Sequence, residues 1–302
     1  MITSTSTRAP QWLLEMPSDI MYRGLIRSGQ FGQRSGREYA VRFAEGAALG
    51  YLDPFPQIDY SNAAYRASVN GSAAIDTYFQ FHDRQQPGYL GIVQPFLSRD
   101  STVVDCGAGG GALLDCIHGM VARTIAVEPL VDWHASLRDR GHVTYGSMNE
   151  CGCRERGVAS VALSVHVIEH VMDPVAYLRE IGDLLTPGGT AIVFTPNLRD
   201  ILMTLDFEHY APFFFREQHN YYFTARGLEL LAMAAGLAVV RSGFYHDFPL
   251  ANAFGWVANR APAEHSRREC FDASVDGFWT GYLESRGLAS QVYCVFRKPD
   301  KR

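Results

Sequence analysis

Cysteine is scarce: none precedes Cys106, and the six present (Cys106, Cys116, Cys151, Cys153, Cys270 and Cys294) form no Cys-x-x-Cys pair. Thiols so few and so spaced exclude a disulfide framework and a cysteine zinc site. They read as reduced cysteines of a cytoplasmic protein without a metal. Long apolar runs are also lacking. The greasiest stretch, 228–240, is broken by Glu229 and Gly236 and falls short of the ~20 residues a bilayer span needs. Residues 1–20 have no basic segment leading into an apolar core, so no secretory signal is expected. An excess of positive charge is missing too. With 27 basic and 32 acidic side chains the net charge is -5, which gives no general field for a nucleic-acid backbone. What is present is an ordinary packed chain of 302 residues, 47% apolar and 20% charged. That length suits one large domain with a small appendage.

Patterning is weak at first. Residues 1–12 are Ser/Thr-rich and read as a loose terminus; 18–72 are glycine-rich and include the turn-forming Tyr51-Leu-Asp-Pro-Phe-Pro56. From 73 to 97 apolar residues recur at helical spacing (Ile75, Tyr78, Phe79, then Tyr89, Leu90, Val93), interrupted at Pro87-Gly88. Short apolar strands follow at 103–104, 124–127, near Val143, at 158–165 and at 190–194. They alternate with a helix that carries Leu113, Leu114 and Ile117 on one face and with helices at 131–140 and 175–185, the last opening on a capping Asp173-Pro174. The alternation predicts an α/β fold, a Rossmann-like doubly wound sheet covered on both faces. A helix at 225–235 and strands at 237–245 and 290–296 complete it. The expected division is a module at 1–72 and a main domain at 73–302, with insertions near 199–224 and a lid-like one at 246–285.

The strand Val103-Val104 runs into Asp105-Cys-Gly-Ala-Gly-Gly-Gly111 and then a helix. Glycines here let a ligand approach the backbone, and the helix start offers free N–H groups. Gly107, Gly109 and Ala112 satisfy G-x-G-x-x-[G/A], and Glu128 lies about 20 residues on, as a dinucleotide fold expects. Glycine spacing alone does not separate a nicotinamide or flavin enzyme from other nucleotide users. Asp105 does: a carboxylate there repels a pyrophosphate but suits the α-ammonium of S-adenosylmethionine, and Glu128 suits the ribose hydroxyls.

Val103-Val-Asp-Cys-Gly-Ala-Gly-Gly-Gly111, Val127-Glu128, Leu163-Ser-Val-His-Val-Ile-Glu-His-Val171 and Leu184-Leu-Thr-Pro-Gly-Gly189 together resemble the class I S-adenosylmethionine-dependent methyltransferases, across about residues 75–245 and a last strand near 292–298. The resemblance implies a seven-stranded sheet whose last strand is antiparallel, and S-adenosylmethionine as cofactor. It assigns Asp105, Gly107, Ala108 and Gly109 to the methionine part and Glu128 to the ribose. Asn149, in the segment after the third strand, falls to the adenine, and Ser164 and His166 fall under the methionine moiety and near the transferring methyl. The alternatives are an NAD-dependent oxidoreductase and an inactive methyltransferase-like partner subunit.

The stretch 39–66 is similar to the zinc-ribbon module of a subgroup that includes sugar C-methyltransferases. Without cysteine, and with His82 the only histidine of the first 100 residues, such a module holds no zinc; a homo-oligomeric contact is a remaining use for it. Gln218-His-Asn-Tyr-Tyr-Phe-Thr224 also resembles that subgroup's Tyr-x-Glu-His-x-x-Tyr-Phe signature, with Arg216 in place of Tyr and Gln218 in place of Glu. Methyl transfer often requires removal of a proton from the acceptor, for which histidine is suited near neutral pH. His219 is the expected base, with Tyr222 and His166 shaping the site; His170 and His209 are the other candidates. The expected activity is methylation, oxygen before carbon, of a small molecule such as a sugar, glycan precursor or specialised metabolite, with neither nucleic acid nor membrane as partner.

Overall fold

The computed structural model describes residues 9–29, 32–56, 58–261 and 271–300. The expected loose terminus lies mostly, and the lid-like insertion partly, outside them. Strands β1 (Ser18–Gly24), β2 (Tyr39–Ala44) and β3 (Leu49–Asp53) form an antiparallel meander. Next come β4 (Thr102–Cys106), β5 (Arg123–Val127), β6 (Val143–Tyr145), β7 (Ala159–Val165) and β8 (Leu185–Pro196). These five pair in parallel, in the order β8-β7-β4-β5-β6. After β9 (Tyr221–Phe223) and β10 (Ala238–Tyr245), the final strand β11 (Gln291–Arg297) inserts antiparallel between β10 and β8. The result is the expected seven-stranded, mostly parallel sheet, ordered β10-β11-β8-β7-β4-β5-β6.

Continuous apolar runs serve strands covered on both faces. In β4, Val103 and Val104 are both buried, as are Val161, Ala162 and Leu163 of β7. The helix Pro174–Leu184 begins where the sequence places it. Asp173 accepts the N–H groups of Val175 and Ala176 at 2.9 and 3.1 Å, and Val175, Leu178, Ile181 and Leu184 bury one face. β8 is longer than expected because the Pro187-Gly188-Gly189 turn pairs onward with Lys298, Gly188 N–H to Lys298 O at 3.0 Å. Among its described residues, the insertion 246–285 carries the helices Leu250–Asn259 and Ala273–Arg286. No described helix is long and apolar enough to cross a membrane.

The N-terminal strands do not stand apart from the main domain. β9 adds to β3 with Leu49 opposite Phe223 and Tyr51 opposite Tyr221, completing a four-stranded sheet β1-β2-β3-β9. Tyr221, Tyr222 and Phe223 are all buried there. The segment carrying His219 is thereby fixed to the N-terminal sheet on one side and to the main sheet on the other.

Candidate active site

The carboxyl ends of β4, β5 and β7 open onto a crevice lined by Asp105, Gly107, Ala108, Gly109, Glu128 and His166, and roofed by Tyr65, Arg66 and Tyr78. Ligands of open α/β sheets bind at such strand ends. The glycine turn is held from behind: Gly107 and Ala108 both donate to Val127 O, at 2.8 and 3.0 Å. Gly107 has φ 101°, and a Cβ there would lie 2.3 Å from Val167 Cγ2. Gly109, at φ 57°, donates to Glu128 Oε2 at 2.8 Å.

The two acids of the crevice differ sharply. Glu128 is only 1% exposed but well supplied, taking the Leu130 N–H on Oε1 at 2.9 Å and the Gly109 N–H on Oε2. Arg66 adds a longer contact at 3.4 Å while lying over the Trp133 ring. Asp105 is 3% exposed, and its Oδ1 is buried with no hydrogen-bond partner. Burial, then the neighbouring Glu128 charge, pushes its pKa up to about 7. An unpartnered buried carboxylate is costly unless a donor or cation arrives. The residues present therefore fit S-adenosylmethionine: its ammonium would supply what Asp105 lacks, while a diphosphate would add repulsion.

His166 lies between this crevice and a neighbouring cavity and lines both. Its φ of 55° is unusual for a residue with a Cβ. Its ring is held by Tyr89 Oη at Nε2 (3.0 Å) and faces Glu169 at Nδ1 (3.3 Å). Two expected cofactor contacts depart from the crevice. Ser164 is fully buried, hydrogen-bonded at 2.9 Å to Tyr177 Oη, which in turn donates to Cys106 O; it props the end of β4 from within the core. Asn149 is exposed on the helix Met148–Glu155 and lines neither space, because Cys151 anchors the opposite face of that helix.

The second cavity, about 390 Å³, shares Tyr65, Arg66, His82, Gln85, His166 and His170 with the crevice and continues to Arg27, Arg216 and His219. His219 is buried, its ring 4.9 Å from that of His170. Burial first, and then the Arg216 charge, hold its pKa well below the ordinary histidine value, so the ring is neutral. His170, also lowered by burial, is bonded through Nδ1 to Gln218 O. One ligand atom each from Glu169, His170 and His219 come within 4.8 Å of one another, but two arginines on the same cavity oppose a divalent cation.

Tyr222 departs from its expected place. Its hydroxyl accepts the Arg216 N–H at 2.9 Å and donates to Arg216 O at 3.1 Å, and it lines neither space. It positions Arg216 rather than facing an acceptor. His209 also lines neither space; it pairs with Asp206 at 2.7 Å. Sequence reasoning missed Tyr89, Gln85, Arg27 and Arg66 as site residues. His82 and Tyr89 carried a signal, lying on the helical pattern just before the glycine strand, but Arg27 sits in a stretch without periodicity.

Residues 81–242 match a family model described as a methyltransferase domain. Among curated proteins, the chain is 33% identical over 118 residues to a ubiquinone biosynthesis O-methyltransferase of Ruegeria pomeroyi, covering 36% of this chain and 45% of that protein. It is 27% identical over 164 residues to the enzyme of the same name from Aeromonas salmonicida, covering 50% and 69%. The alignment thus spans less than half the length of the first of these relatives. Among solved structures, an S-adenosylmethionine-dependent methyltransferase of Archaeoglobus fulgidus has TM-score 0.52 at 13% identity, covering 74% of this chain and 97% of that one. One of Thermotoga maritima, titled a possible histamine N-methyltransferase, has TM-score 0.50 at 20% identity, covering 74% and 93%. At these identities the two structures attest the fold.

Proposed function

The chain belongs to the methyltransferase-domain family matched across residues 81–242, and from that premise we propose that it takes S-adenosylmethionine as its methyl donor and methylates an oxygen of a small molecule held in the second cavity. The observation that carries this reading is the junction at His166 and His170, which line both the donor crevice and a cavity containing a neutral, buried imidazole, His219.

The donor supplies an electrophilic methyl group on its sulfonium when bound. Asp105 would hold its ammonium, Glu128 would receive its ribose hydroxyls, and the Gly107–Gly109 turn would let it approach the backbone. His166, fixed by Tyr89, bounds the point where donor and acceptor meet, which supports in-line alignment. His219 accepts the hydroxyl proton, a role open to a ring kept neutral by burial. Arg216 and Gln218 stand where the carbon-methylating signature has Tyr and Glu, which favours the lesser proton demand of an oxygen acceptor. The relatives' name, O-methyltransferase, points the same way. Sugars, glycan precursors and specialised metabolites are the proposed acceptor classes. Incubation with S-adenosylmethionine and a panel of hydroxylated acceptors, read by mass spectrometry, should show a one-methyl gain located on oxygen. A methyl found on carbon or nitrogen of the preferred acceptor refutes the oxygen assignment.

A further inference from the structure

Arg27 and Arg216, far apart in sequence, are brought side by side by a short parallel bridge: Arg27 N–H donates to Phe215 O at 2.9 Å and Glu217 N–H to Arg27 O at 3.0 Å. Both side chains line the second cavity. Among the described residues neither has an ion pair or a side-chain hydrogen bond, and the Nε of each is buried without a partner. Among the described residues, the Arg27 guanidinium carbon lies 4.5 Å from the centre of the Phe213 ring.

The acids of the cavity do not serve these cations, because each is already engaged. Glu169 accepts Thr195 Oγ1 at 2.9 Å and faces His166. Asp200 takes the Leu202 N–H at 2.8 Å and Tyr210 Oη at 3.2 Å. Asp247 takes Gln85 and Ser290 at 2.7 and 3.0 Å. Two adjacent, half-buried guanidinium groups without an ion-pair partner repel one another and forgo their strongest bonds, with Glu169 acting on Arg216 only at longer range. Burial and the Arg216 charge accordingly press the Arg27 pKa down, while burial lowers that of Arg216. Planar forks of this kind match the oxygens of a carboxylate or phosphate two at a time.

We infer that the acceptor carries an anionic group, a carboxylate or a phosphate, gripped between Arg27 and Arg216. This deepens the proposed function and rests on the second cavity being the acceptor site. The anion anchors the far end of the acceptor, and the hydroxyl to be methylated lies toward His166 and the donor crevice. Selection then acts by charge: neutral analogues of the same shape leave both arginines unpaired and bind poorly.

The test is calorimetric titration of the protein, saturated with S-adenosylhomocysteine, with benzoate and separately with inorganic phosphate, against sodium chloride at equal ionic strength. Binding of either probe that weakens tenfold or more in Arg27→Met and Arg216→Met supports the inference. The stronger probe tells carboxylate from phosphate. Arg216→Lys, which keeps the charge but not the fork, should lose less than Arg216→Met, and it replaces that variant if Arg216→Met no longer binds S-adenosylhomocysteine. Probe binding no better than chloride, or unchanged by the substitutions, overturns the inference. Wild-type protein that fails to bind S-adenosylhomocysteine overturns the donor-site reading instead, and the two failures are read in separate titrations.

Discussion

Glu128 takes the Gly109 N–H at 2.8 Å across the glycine turn, while Asp105, in the same crevice, keeps an oxygen that meets no donor. The fold already supplies donors to both oxygens of one acid and none to the buried oxygen of the other. The consequence is pH-dependent donor affinity. Asp105 pairs with an ammonium only when ionised, and its pKa in the empty protein is raised to about 7. Below that value the carboxyl is protonated, so affinity for S-adenosylhomocysteine should fall about tenfold for each pH unit on the acid side. Calorimetry from pH 8 to 6, in buffers of differing ionisation enthalpy, should also show a proton released on binding. Asp105→Asn should bind weakly at every pH, with the dependence gone.

The same residue should work against stability. A carboxyl whose folded pKa lies above its unfolded value favours folding less as pH rises through the window from about 4 to about 7. Above that window the unpaired charge is a net cost. Asp105→Asn should therefore unfold at a higher temperature than wild type at pH 8, by roughly 1–3 kcal/mol of stability, with the gap narrowing toward pH 4. A variant less stable than wild type at pH 8 would show that Asp105 is already satisfied in the free protein.

Gly107 combines φ 101° with a 2.3 Å approach to Val167 Cγ2 for any added Cβ. Gly107→Ala should thus cost roughly 1–3 kcal/mol in chemical denaturation through backbone strain and displace the two N–H groups that grip Val127 O. Donor affinity should drop more than tenfold. Alanine at the open turn Gly119, where φ is also positive but nothing lies within 4 Å, should cost stability without touching donor affinity.

What was legible in the sequence was local. Asp105, the glycines, Glu128 and the Asp173 cap sit within single strand–turn–helix units, where spacing and turn chemistry speak directly. His166 and His219, which line the crevice and the second cavity, lie in short motifs that resemblance to a family singles out. Arg27 was not legible, because its meaning arises only when a bridge sets it beside Arg216. β9 was missed for a related reason: three residues carry no periodicity, and Tyr221–Phe223 becomes a strand because β3 offers an edge. Ser164 and Tyr222 had the right types at the right positions. Their hydroxyls are turned to Tyr177 and to the Arg216 backbone, a choice of side-chain direction that sequence does not display.

His219 and Tyr222 are three residues apart, and the proposed function gives them separable roles. Losing the Tyr222 hydroxyl leaves the half-buried Arg216 N–H without its acceptor, at a cost of about 1 kcal/mol, and lets Arg216 shift. Tyr222→Phe should therefore raise the acceptor KM more than it lowers kcat, with donor affinity unchanged. His219→Ala removes the proton acceptor and should lower kcat by roughly 10²–10⁴ while leaving the fold and the donor site intact. The pH profile separates the two further. Burial and the Arg216 charge lower the His219 pKa, so the ring stays unprotonated below the usual histidine range. At saturating donor, kcat/KM for the acceptor should stay flat from pH 8 to below about 6.5 in wild type and in Tyr222→Phe. An acid limb in wild type centred at or above that value would mean that a histidine less buried than His219 takes the proton.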